Sequence, residues 1–110
     1  MMSVDESLAA RVRAALARKR SIEEKKMFGG ICFLLNGNML VGVWKSFLIV
    51  RLGPDQVDQA LQRPFVKKMD ITGRPMNGWV MVDAEGVPDI DDIKEWILLA
   101  NKFVAKLPAK

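Results

Sequence analysis

Residues 30–52 read "GICFLLNGNMLVGVWKSFLIVRL", three apolar runs separated by very short polar breaks. No other stretch limits the fold as tightly. With "KKMF" at 25–28 ahead of it, the segment offers four short runs rich in β-branched and aromatic residues, which is strand composition. Asn36-Gly37-Asn38 is a strong hairpin turn, because Asn and Gly accept positive φ, and Lys45-Ser46 is a weaker one. Connections this short leave no room for crossover helices, so neighbouring strands must run antiparallel. An antiparallel sheet with one wet face alternates apolar and polar residues. This one does not. In "MLVGVW" both Met39/Val41/Val43 and Leu40/Trp44 are apolar. In "FLIVRL" Phe47 and Ile49 share a face with Arg51, while Leu48, Val50 and Leu52 fill the other. Both faces therefore need cover, from helices split between them or from a second copy of the chain. A homodimer is the expectation.

The remaining elements are helical. "SVDESLAARVRAALARKR" is capped by Ser3 or Asp5, carries Val4, Leu8, Val12, Ala15 and Leu16 on one stripe, and ends in Arg18-Lys19-Arg20, the charge order a helix dipole favours. "GPDQVDQALQRP" at 53–64 opens on Pro54 and stops at Pro64. "FVKKMDITGRPMNG" reads mostly as loop, with turns at 73–75 and 77–78, and "WVMVD" as a last strand. The closing helix starts at "DIDD" and runs Ile90, Ile93, Ile97, Ala100, Val104 and Leu107 along one stripe, widened by Trp96, Leu99 and Phe103. The order is α-β-β-β-β-α-β-α: one α+β domain over 1–110, three helices on an antiparallel sheet of about five strands.

Several chemistries are excluded by composition. The chain has no His and no Tyr, so a Ser-His or Cys-His nucleophile pair and the usual His-containing zinc sites cannot be built. A single cysteine, Cys32, forms no internal disulfide, and within "ICFLL" it reads as a buried, inert thiol. Asp89, Asp91 and Asp92 lack an EF-hand frame, and helix capping accounts for them. No enzyme activity, metal or cofactor is expected. No apolar run approaches the roughly 20 residues of a membrane span, and no signal-peptide pattern opens the chain, so it reads as cytoplasmic.

The net charge of +4 is uneven. Excess positive charge falls in residues 1–20 and 61–82, which makes nucleic acid the second expectation for a partner, through Arg11, Arg13, Arg18, Arg20, Lys67, Lys68 and Arg74. Trp44, Trp79 and Trp96 read as core, since no aromatic residues interleave with basic ones as in an RNA-stacking motif.

Lys25, Lys26, Gly29 and Gly30 raise a sharper question. Adjacent glycine N–H groups beside lysines can cradle an anion. A phosphate loop, however, puts its glycines between a strand and a helix, and here another strand follows. The structural reading is a bend between strands or a close approach by a packed helix. Arg51, in an apolar strand, needs an ion-pair partner such as Asp70, Asp83 or Glu23, or an edge position facing solvent. Arg74, on a Gly-Arg-Pro turn, is the foremost contact candidate. Together with Arg51 and the lysines it could complete a basic patch for a small anionic ligand.

"EKKMFGGICFLLNGNMLVGVW", then "FLIVRLGPDQVDQAL", the Gly73-Arg74-Pro75-Met76 turn and Trp96 together resemble the N-terminal domain family of the competence regulator TfoX, also called Sxy. The resemblance covers about Asp5 to Leu107. It implies an α+β fold similar to that of secretion chaperones. It also implies a regulatory or adaptor domain that works by binding an unidentified protein partner, here without the helical C-terminal domain of the long family members. The resemblance supplies no catalytic residues.

Overall fold

A computed structural model describes residues 5–27, 29–69 and 77–109. Helix α1 (Glu6–Leu16) begins where the Asp5 side chain accepts the Leu8 N–H at 3.0 Å. Ser3 and Val4 lie outside the described residues. Four strands follow: β1 (Ile22–Met27), β2 (Gly30–Leu35), β3 (Asn38–Trp44) and β4 (Phe47–Arg51). Helix α2 (Pro54–Leu61) has proline in its first turn, as the sequence indicates. Two more strands, β5 (Val66–Lys68) and β6 (Trp79–Asp83), precede a one-turn 3-10 helix and α3 (Ile90–Val104). The α3 start is tied by the Asp89 N–H donating to the Asp92 carboxylate at 3.1 Å.

The sheet therefore has six strands in the order β1-β2-β3-β4-β6-β5, all neighbours antiparallel. The extra strand corrects the expectation of about five. Val66–Lys68 lies in the segment read as loop: two of its three residues are lysines, and pairing with β6, not its own composition, makes it a strand. The 36–37 turn has positive φ at both residues (52° and 84°), the backbone an Asn-Gly hairpin requires.

Phe33 pairs with Val41 but Leu34 with Met39, so Leu40 is an extra residue in β3. This bulge turns Leu40 and Val41 toward the same core, where both are fully buried. The core fills the first face of the sheet. Ile31, Phe33, Val43, Leu48, Val50, Val80 and Val82 meet Leu8, Val12 and Leu16 of α1, Ala60 of α2, and Ile93, Trp96, Ile97, Ala100 and Val104 of α3 in one cluster. The helices are thus not split between the faces. Ile90, placed on the α3 stripe by spacing, stands exposed at the helix start.

Candidate interaction surface

The second face carries the other alternation of each strand. Pairing runs Lys25–Cys32–Gly42–Ile49–Met81–Lys67 across its middle. Trp44 and Phe47 face each other at one end, and Arg51 and Trp79 at the other. Ile49, Met81 and Met69 form a small buried cluster, with Met39, Trp44, Phe47 and Trp79 half-buried around it. Cys32 is buried on the same face, and desolvation pushes its thiol above the usual range. The centre of the second face is therefore already removed from water within one chain. The aromatic rings around it remain partly open.

Each of those rings carries a cation. The Lys45 ammonium lies 4.6 Å from the centroid of Trp44, Lys67 lies 4.5 Å from that of Phe47, and the Arg51 guanidinium lies 5.2 Å from that of Trp79. Arg51 is also 5.6 Å from the Phe103 ring of α3. The Lys45-Ser46 turn is held from both sides, because the Asp5 N–H donates to the Lys45 carbonyl and the Ala84 N–H to the Ser46 carbonyl, each at 2.9 Å. Backbone bonds thus fix the base from which Lys45 reaches Trp44.

The candidates from sequence do not converge. Lys25 pairs with Cys32 and so stands on the second face, while Lys26 pairs with Ile31 and stands on the first. Gly29 has φ +76°, a left-handed turn residue. Gly30 lies flat against β3, where a Cβ would overlap the Val43 carbonyl oxygen. The glycines serve a turn and a close backbone approach, by a strand where a helix was the alternative. Arg51 sits four residues along β4 from Phe47, at the far end of the sheet from this turn. No ion pair among the described residues includes it. Asp83 pairs with Phe47 at the opposite end, Glu23 lies on β1, and the two rings take the guanidinium instead. Asp70 and Arg74 lie outside the described residues.

The basic groups proposed for nucleic acid are dispersed as well. Arg13 of α1 donates to both carboxylate oxygens of Glu24 at 2.9 and 2.8 Å. That hydrogen bonding raises the arginine pKa and lowers that of the glutamate. Helix α1 packs on the first face beside β1, whereas Lys67 projects from the second face on β5, at the opposite edge. Sequence reasoning missed the ring-and-cation pairs because together they draw on a turn, three strands and an edge strand. The only sequence signal was that Trp44 and Phe47 flank a two-residue turn. Among the described residues, no cluster of His, Cys, Asp and Glu could hold a metal ion, and no helix is long and apolar enough to cross a membrane.

Compared with known proteins, the chain matches the family model described as the TfoX N-terminal domain over residues 5–104. No curated protein and no solved structure matches it.

Proposed function

The chain belongs to the TfoX N-terminal domain family, and from that premise we propose that it is a non-enzymatic regulatory adaptor of the cytoplasm, a homodimer that docks its partner on the second face of its sheet. The observation that carries this reading is the face itself: all three helices pack on the other side, and three half-buried aromatic rings remain at its two ends. A photo-crosslinking amino acid at position 47 is expected to capture a partner in native lysate, whereas the same group at Leu98, exposed on α3, should not. Capture from position 98 alone would move docking to the helical side and end this reading.

The dimer is assigned to the outer edge of β1. Burial of the second face's centre leaves less bare apolar surface there for a second copy to cover. The β1 edge, in contrast, has no neighbouring strand among the described residues. Charged edges normally reject other strands. We propose that this one accepts a copy of itself in the register that opposes unlike charges on the second face. Opposed residues must share a face, so a two-fold axis at Glu24 sets Glu23 against Lys25 of the second copy in both directions. Glu24, which then meets itself, is already neutralised by Arg13. Cross-strand charge pairs contribute about 0.2–1 kcal/mol each. Lys25→Glu turns both attractions into repulsions and should weaken the dimer by about tenfold or more. Adding Glu23→Lys restores opposite charges and should restore the dimer mass in light scattering. A wild-type chain that stays monomeric at about 100 µM, well above a 1 µM dissociation constant, or a double variant no better than the single, would remove this interface.

A further inference from the structure

We propose that the second sheet face binds single-stranded nucleic acid; this rests on the docking reading above and names the partner. The face presents aromatic rings with cations beside them, the combination that unpaired bases and their phosphates require. Bases stack on rings whatever their sequence, and neighbouring cations follow the backbone. Lys45, Lys67 and Arg51 lie over Trp44, Phe47 and Trp79. These side chains protect the rings when the face is empty. A lysine over a partly open ring is held weakly, so it can swing to a phosphate as a base takes its place.

The charge on the face is complementary to such a ligand. Among the described residues, Lys25, Lys45, Arg51 and Lys67 stand on this face with two carboxylates, Glu23 and Asp83. Glu23 lies 3.9 Å from Lys25, and Asp83 accepts the Glu85 N–H at 2.9 Å. Spacing favours a chain over a mononucleotide. From Phe47 to Trp79 is one strand across and four residues along, roughly 14 Å from standard strand dimensions. A duplex keeps its bases stacked on one another and has none to give these rings. An acidic peptide satisfies the cations but leaves the rings without planar partners. Single-stranded nucleic acid uses both.

The test is titration of the whole protein with a fluorescein-labelled oligothymidylate of about 15 nucleotides, within the site sizes single-strand binders use. Binding is read by anisotropy and by quenching of tryptophan fluorescence. With about three phosphates neutralised, the log–log salt slope should be near −2. Trp79→Leu and Phe47→Leu should each weaken binding by about tenfold, from loss of one stacking contact. Lys67→Glu, at an exposed position, should weaken it by a similar factor with an unchanged unfolding midpoint. Arg18→Glu with Arg20→Glu should leave it unchanged. The duplex of the same oligonucleotide and polyglutamate should each bind at least about tenfold more weakly. Absence of binding at about 50 mM salt, where charge attraction is strong, would overturn the proposal. So would binding that tolerates Trp79→Leu and Lys67→Glu but fails with the Arg18/Arg20 double variant. If polyglutamate binds more tightly through the same residues, the nucleic-acid proposal falls while the docking face stands. If no ligand binds and position 47 captures nothing, both fall.

Discussion

Gly30→Ala should lower the stability of the domain by about 3 kcal/mol or more, at or above the top of the ordinary overpacking range. Gly29→Ala, one residue earlier, should cost only about 1–2 kcal/mol. The two glycines look equivalent in sequence but meet opposite constraints. Gly29 needs a positive φ, and nothing lies within 4 Å of where its Cβ would sit. An alanine there suffers backbone strain alone. At Gly30 the φ is ordinary, but a Cβ would overlap the Val43 carbonyl oxygen and stand 3.4 Å from the Trp44 Cα. Backbone cannot yield as a flexible side chain can. Relief requires β2 and β3 to part where their pairing begins, beside Ile31, which is 2% exposed in the main core. Urea unfolding followed by tryptophan fluorescence measures both variants. Equal losses at the two positions would mean that the turn, rather than the strand contact, is what the glycines serve.

This asymmetry marks what the sequence could and could not reveal. Local chemistry was legible: the Asn36-Gly37 turn, Pro54 at the start of α2, and the acidic opening of α3 each follow from one or two residues acting on their own backbone. The apolar alternation predicted two dry faces, and the register places Phe47, Ile49 and Arg51 on one of them as that pattern requires. Facts created by pairing were not legible. Val66–Lys68 becomes a strand only because β6 offers an edge. Arg51 appeared to need a carboxylate because a strand sequence gives no sign of which ring lies opposite, and Trp79 is 28 residues further on. The same holds for Lys67 over Phe47. Cation–ring pairs between distant segments leave no spacing rule, so a docking face built largely from them reads in sequence as ordinary core with stray lysines.

Trp96→Ala is expected to cost about 3–5 kcal/mol, the range for deleting a buried aromatic side chain. That is a large share of the roughly 5–15 kcal/mol available to a domain of this size. Trp96 is 2% exposed, sits midway along α3 within the first-face cluster, and has the Arg63 guanidinium 4.3 Å from its ring centroid. Its loss removes volume that helix and sheet share, and neither can collapse without disturbing the other. Trp79→Leu should cost about 1 kcal/mol, because a half-buried ring at the end of a strand leaves no closed cavity. Measured side by side in urea, the two variants separate the roles that three tryptophans share. If Trp79→Leu proves as destabilising as Trp96→Ala, the second face is a core surface and cannot be free to receive a ligand. If it stays mild while oligothymidylate binding drops, stability and docking reside on opposite sides of one sheet. The docking side can then vary in sequence without loss of the fold that presents it.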